Sequence, residues 1–428
     1  MTTKKSVLII SYYWPPAGGP GVQRWLKFAK YLPSFNWEPI IYTPENPNYP
    51  IIDNSLLDEI PKNIKTLKTR IWEPYQLAEK LSKNNKKFKG GQFDIGKNQN
   101  WKSKLSIWIR GNFFIPDARV FWVKPSVKFL EKYILQNHIQ TIITTGPPHS
   151  MHLIGLKLKQ KFPSLKWIAD FRDPWTEISY YKHLKLTRWA DKKHRNLEKK
   201  VLQNADFTLA TSYTDAENFK NLGAISVCIT NGFDDISKIK NIDNQYFTMS
   251  YIGVLEQLRN PEILWEGLAE LISENIDFSK DFRLRFVGRI DDKILSEINK
   301  TNLKNNFEYI GYLSHKDAFI EMYNAHILLI TNFPKENARG IIPGKIFEYL
   351  ATGNRILSFG IDNSDVEQIL RITKAGKHFD YQSKKEVKDY ILTNYINWKN
   401  NNLQKNTESI NDFSRKNLTK KLVEILEK

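Results

Sequence analysis

Ser6-Val7-Leu8-Ile9-Ile10-Ser11, followed by Trp14-Pro15-Pro16-Ala17-Gly18-Gly19-Pro20-Gly21, sets how the rest of the chain reads. Val7 to Ile10 is an unbroken apolar run, the pattern of a strand buried on both faces. The glycine and proline loop ends it. From about Val22 to Leu32 the residues Trp25, Phe28, Ala29 and Leu32 share one helical face, and Trp37 to Thr43 reads as a second strand. Strand, glycine loop, helix, strand is the opening of a doubly wound α/β domain, in which ligands bind beyond the carboxyl ends of parallel strands. Gly18, Gly19 and Gly21 lie at such an end and let backbone amides approach a phosphate or a sugar. The loop is not a dinucleotide fingerprint, because no third glycine falls near Arg24, and no Gly-Lys-Ser/Thr follows to make a Walker loop. A tight turn is the plain alternative.

The following residues continue the pattern. A helix is expected around Pro125 to Asn137, a strand over Thr141 to Thr145, a helix over Met151 to Lys161 and a strand over Trp167 to Asp170. A charged helix from about Lys185 to Asn204 precedes strands Phe207 to Ala210 and Ser226 to Thr230. Three strands in this half end in polar turns: the glycine loop, Gly146-Pro147-Pro148-His149, and Asp170-Phe171-Arg172-Asp173. In a parallel sheet such ends share one edge. His149 is therefore a candidate to hydrogen-bond a substrate, with Asp170 and Asp173 as acceptor-side candidates. A loop-capping role for His149 and a turn-forming role for Asp173 before Pro174 are the ordinary alternatives. Lys83 to Lys97 has the composition of a mobile insertion. Trp101 to Pro116 interleaves Trp, Phe and Ile with Lys and Arg, which suits either a membrane interface or an amphipathic helix packed on its own domain.

A polar linker, Asp234 to Gln245, precedes a second α/β set. Strands are expected at Phe247 to Ile252, Arg283 to Val287, Phe307 to Ile310, His326 to Ile330 and Arg355 to Phe359. Helices are expected at about Pro261 to Ile272, from His315 to Asn324, and in the tail from Asn411 to Glu427. Arg339-Gly-Ile-Ile-Pro343-Gly344-Lys345-Ile-Phe-Glu348-Tyr-Leu-Ala-Thr-Gly353 reads as a loop that becomes a helix. Pro343 suits its first turn, Ile346, Phe347 and Leu350 its buried face, and Gly353 its stop. Free amides at that start, together with Lys345, favour an anion, and Glu348 one turn on can accept sugar hydroxyls. A buried helix with a solvated Lys–Glu pair fits the same spacing. Gly253, Arg259, Arg289 and Gly344 join Lys345 and Glu348 as donor-binding candidates, and Arg259 with Lys345 suits a diphosphate.

The chain has 428 residues, 41% of them hydrophobic, enough for two or three domains with real cores. The expected division is 1–235, 236–410 and a terminal helix, 411–428, that packs back on the first domain. The net charge of +18 points to an anionic partner such as a nucleotide or a membrane surface. Cys228 is the single cysteine, which excludes an intrachain disulfide and a cysteine zinc site. No signal peptide or membrane-spanning run is expected, and the cytoplasm is the expected compartment. There is no nucleic-acid-binding signature.

Taken together, Gly18-Gly19, Asn231-Gly232-Phe233-Asp234, Tyr251-Ile252-Gly253 with Arg259-Asn260-Pro261, Phe286-Val287-Gly288, Tyr309-Ile310-Gly311-Tyr312 and Pro343 to Gly353 resemble, in order and spacing, the family 4 glycosyltransferases of the GT-B fold, especially bacterial polysaccharide and cell-envelope members. The resemblance covers nearly the whole chain. It implies two Rossmann-like domains facing a cleft, and transfer of a sugar from a nucleotide-diphosphate donor to a hydroxyl acceptor with retention. It gives Glu348 the donor ribose, Arg259 the diphosphate, His149 the region of the transferred sugar, and Gly18 and Gly19 the loop over donor and acceptor. The implied acceptor is a sugar or a lipid-linked intermediate, with peripheral contact at an anionic membrane. No cofactor and no metal are expected. Two positions depart from the pattern: Gly340 stands where a glutamate is common, and Val254 where an arginine is common. A sugar-nucleotide epimerase on the same architecture and a non-catalytic protein binding an anionic surface are the alternatives.

Overall fold

The computed structural model describes residues 5–74, 101–178, 181–234, 245–405 and 410–428. The expected insertion at Lys83 to Lys97 lies outside these residues, as does all but the ends of the expected linker. The chain divides into two compact units: Met1–Thr230 with Leu418–Lys428, and Asn231–Asn417.

In the first unit the elements run β1 (Lys5–Ile10), α1 (Pro20–Tyr31), β2 (Trp37–Pro44), β3 (Lys65–Thr69), α2 (Trp101–Phe113), α3 (Val120–Asn137), β4 (Thr141–Gly146), α4 (Ser150–Lys161), β5 (Lys166–Phe171), α5 (Arg188–Asn204), β6 (Phe207–Ala210), α6 (Tyr213–Asn221) and β7 (Ser226–Cys228). The sheet is parallel throughout, in the order β3-β2-β1-β4-β5-β6-β7. The strand order reverses between β1 and β4, where Leu8, Ile9 and Ile10 pair with Ile142, Ile143 and Thr144. This is the crevice in which open α/β sheets bind ligands, and the glycine loop after β1 and the His149 turn after β4 both open onto it.

The central strands are apolar runs because helices cover both faces of the sheet. Trp122 of α3 stacks on Tyr42 of β2 with rings 4.9 Å apart and 3° from parallel, an arrangement that adds about 0.5–1.5 kcal/mol to the burial itself. The other face buries Val7, Ile9 and Trp25 against Leu422 and Leu426 of α14 (Arg415–Glu427).

The second unit runs β8 (Phe247–Leu255), α7 (Glu262–Glu274), α8 (Ile276–Asp281), β9 (Phe282–Ile290), α9 (Asp292–Asn299), β10 (Phe307–Gly311), α10 (His315–Asn324), β11 (Ile327–Thr331), α11 (Lys345–Thr352), β12 (Arg355–Phe359), α12 (Asp365–Thr373), β13 (Gly376–Phe379) and α13 (Lys384–Lys399). Its sheet order is β10-β9-β8-β11-β12-β13, again parallel, with the reversal between β8 and β11.

Several boundaries differ from the sequence pattern. Helix α3 starts at Val120, so Pro125 sits inside it, on its exposed face. Pro343 lies outside α11, whose cap is Gly344, and its carbonyl accepts from the Ile346 amide instead. β3, β13, α6, α8, α9, α12 and α13 are additional elements. β3 is short, polar and at the sheet edge, so it lacks the apolar run that marks the inner strands.

Candidate active-site edges

Gly253 and Gly288 shape the carboxyl edge of the second sheet. Their φ angles are +123° and +112°, and a Cβ on Gly288 would lie 2.2 Å from the Gly253 carbonyl oxygen. Only glycine lets the ends of β8 and β9 approach this closely. Two cations bracket the resulting bend. Lys345, the first residue of α11, donates from Nζ to the Ile252 carbonyl at 3.1 Å and sits 3.7 Å above the Tyr251 ring. Arg259 lies in the short turn after β8 and donates from Nη2 to the Val254 carbonyl at 2.6 Å. Its guanidinium also stands 5.6 Å from the Phe333 ring. Burial, with Arg259 nearby, holds the Lys345 pKa well below its ordinary value. Tyr349 locks α11 to the same bend by accepting the Ile252 N–H at 3.2 Å. Gly344 is exposed at the start of the helix. Arg289 is exposed on β9, in register with Val254.

Glu348 is a turn further along α11 and half-buried, with Oε1 2.9 Å from His315 Nε2. That bond raises the His315 pKa. Spacing alone did not pair these two residues. A signal for it is nonetheless present: Ser314 caps α10 by accepting the Asp317 amide, so His315 begins a helix and faces α11. Glu336, the glutamate nearest to the position where Gly340 stands, is paired with Arg339 at 2.6 Å.

At the edge of the first sheet, His149 is the residue before α4 and is 6% exposed. Neither of its ring nitrogens has a hydrogen-bond partner among the described residues. Its ring stacks on Trp175, 5.0 Å away and 4° from parallel. Burial holds its pKa well below the ordinary histidine value, so the ring is neutral near pH 7. His152, one turn on, is pushed down to about 3 by burial and shares a hydrogen bond with Thr144. Gly18 is tied by its amide to the Ile51 carbonyl at 3.0 Å, which commits that donor to the fold. Gly19 precedes α1 with φ +101°.

The two aspartates part company. Asp173 is exposed in the turn after β5. Asp170 is fully buried, and the structure corrects its placement as an acceptor contact. Its carboxylate receives Arg24 Nη2 at 2.9 Å, Trp25 Nε1 at 2.7 Å and Thr145 Oγ1 at 2.9 Å, and holds α1 against β5. Among the described residues no group of three or more His, Cys, Asp or Glu is placed to hold a metal ion.

The chain matches no family model. No curated protein matches it either. Solved structures do. TarM aligns over 100% of this chain and 99% of its own, at TM-score 0.62 and 13% identity. Sucrose-phosphate synthase from Thermosynechococcus elongatus aligns over 99% and 98%, at 0.59 and 14%. The lipopolysaccharide outer core galactosyltransferase WaaB aligns over 99% of both chains, at 0.56 and 13%. The fold is the GT-B glycosyltransferase fold. At these identities the likeness carries the architecture of both units and no substrate.

Proposed function

We propose that the chain is a family 4-like glycosyltransferase, moving a sugar from a nucleotide-diphosphate donor to a hydroxyl acceptor with retention of configuration. The observation that carries this reading is the pair Lys345 and Arg259, each bound to a carbonyl of the β8 end on either side of Gly253. Two cations beside the amides of a helix start form a site for a diphosphate. Such a site offsets the charge that develops as the bond between the anomeric carbon and the phosphate oxygen breaks. The departing phosphate takes the acceptor hydroxyl proton as the new glycosidic bond forms. Glu348 accepts the ribose hydroxyls, with His315 holding one of its oxygens. His149, neutral and without a polar partner among the described residues, hydrogen-bonds the transferred sugar or the acceptor.

Titration calorimetry with a panel of nucleotide diphosphates and their sugars tests this: saturable binding is expected, and none at millimolar ligand overturns it. Glu348→Ala weakens binding on the order of tenfold, the loss of about one hydrogen bond to a charged group. The melting temperature stays near wild type, because Glu348 is half-buried and the side chain it pairs with is an exposed histidine. Unchanged affinity would make the residue structural. Incubation with donor alone separates the rival on this architecture, since an epimer as product would replace transfer by epimerisation.

We also propose a role in cell-surface polysaccharide or glycolipid synthesis at an anionic membrane. Among the described residues no helix is long and apolar enough to cross a membrane. Helix α2 turns Ile107 inward and leaves Trp108, Ile109 and Phe113 exposed. Asn112 pins it to the next turn by donating to the Lys185 carbonyl and accepting the Thr187 amide at 2.7 Å. Lys182, Lys185 and Arg188, in and beside the segment that Asn112 binds, are exposed as well, and basic and apolar side chains together are the combination that seats a helix in an anionic interface. Replacing Trp108 and Phe113 together by alanine is expected to lower co-sedimentation with anionic vesicles by about tenfold or more, from the apolar area lost. Equal sedimentation of the two proteins rules the membrane contact out.

A further inference from the structure

We infer that Trp175 is a positioning residue for His149, set by a hydrogen-bonded relay through α5. The inference rests on the transferase reading, in which His149 meets the sugar or the acceptor. No hydrogen bond fixes the His149 ring, because neither nitrogen has a partner among the described residues. Its orientation therefore depends on packing. The closest aligned neighbour is the Trp175 indole, parallel to within 4°, while Phe171 stands at 5.8 Å and 33°. A stacked plane restricts the tilt of the ring while using neither imidazole nitrogen, both of which are buried and without a partner among the described residues.

Trp175 is itself held on two sides. Its Nε1–H donates to His194 Nδ1 at 3.0 Å, and its backbone N–H donates to Glu198 Oε1 at 3.0 Å. These two acceptors are one turn apart on α5. Glu198 also accepts the Thr176 amide and hydroxyl, so its carboxylate is held in turn. His194 Nδ1 accepts from the indole, so in the neutral ring Nε2 carries the proton and faces the Gly111 carbonyl at 3.3 Å. Burial lowers the His194 pKa, which keeps the ring neutral, and the two hydrogen bonds choose the tautomer. A buried indole N–H needs an acceptor in any case; here the acceptor and the backbone bond to Glu198 together fix the plane of the ring on which His149 stacks.

The test is a cycle of four proteins: wild type, Trp175→Leu, His149→Ala and the double variant, with Trp175→Phe as the conservative control. Trp175→Leu is expected to lower kcat about tenfold with little change in the donor dissociation constant, a loss of alignment and not of binding. Trp175→Phe keeps a stacking plane and is expected to recover most of the rate. In the His149→Ala background, Trp175→Leu is expected to add nothing, because residues acting as one unit are not additive. A Trp175→Leu enzyme within twofold of wild type overturns the inference, and so does an equal loss in both backgrounds. If Trp175→Leu fails to fold, His194→Gln, which removes the indole's acceptor, carries the same cycle. A His149→Ala enzyme at the wild-type rate sinks the transferase role of His149 itself. A slow His149→Ala with an unaffected Trp175→Leu sinks only the positioning role.

Discussion

Asp170→Ala lowers the unfolding free energy of the first unit by about 3–5 kcal/mol, the usual cost of stripping one partner from a buried ion pair. The carboxylate is 0% exposed, and the side chain of Arg24 is 2% exposed. Alanine at 170 leaves the guanidinium with the Thr230 carbonyl, at 2.9 Å from Nη1, as its acceptor. It also leaves Trp25 Nε1 and Thr145 Oγ1 without the oxygen they share. Each orphaned donor adds its own desolvation cost. The measurement is urea unfolding followed by tryptophan fluorescence, and a change under about 1 kcal/mol would show the pair to be replaceable by packing. The damage reaches the ligand edge indirectly. Arg24 and Trp25 are on α1, the helix that the glycine loop starts, so Asp170 fixes the angle at which that loop leaves β1.

This carboxylate shows where the sequence is legible and where it is not. β1, the glycine loop and α1 read correctly because an apolar run, a breaker and a helical period are local signals. A strand-end aspartate looks the same in sequence whether it faces solvent or an arginine 146 positions away, and only the folded sheet brings Arg24 to Asp170. The same holds for the Trp175 indole and His194, which meet across the turn between β5 and α5. By contrast Lys345 and Glu348 lie in one motif, and their placement at the carboxyl edge of a parallel sheet follows from topology. Their partners do not: the Ile252 carbonyl is 93 residues from Lys345, and His315 is 33 from Glu348. Edge strand β3 escaped because Lys65-Thr-Leu-Lys-Thr has neither an apolar run nor flanking glycine.

Lys345→Met lowers kcat by about 10²–10³, the range found when one preorganised donor to a developing negative charge is removed. Methionine keeps the unbranched stem that packs along α11, so the fold survives while the ammonium is lost. The pH dependence separates this role from simple packing. Burial and the neighbouring Arg259 hold the Lys345 pKa well down in the free protein. A bound diphosphate favours the charged form and draws the pKa back up. Below the free-protein pKa the ammonium is already formed and the affinity for donor is complete. As the pH rises through that value toward the pKa of the complex, binding must take up a proton and the affinity falls. Calorimetry of nucleotide diphosphate binding in two buffers of different ionisation enthalpy reads this uptake directly. Uptake by the wild type at pH values above the free-protein pKa, and none by Lys345→Met, is the expected result. A methionine variant with wild-type kcat and the same proton uptake would move the charge that meets the leaving group elsewhere, to Arg259 and the amides of α11. The carbonyl of Ile252 and the ring of Tyr251 argue against that outcome, because together they hold Lys345 Nζ in place before any ligand arrives. A nitrogen fixed in advance and charged on binding needs little reorganisation when the phosphate departs, which is the condition under which a single charge lowers a barrier most.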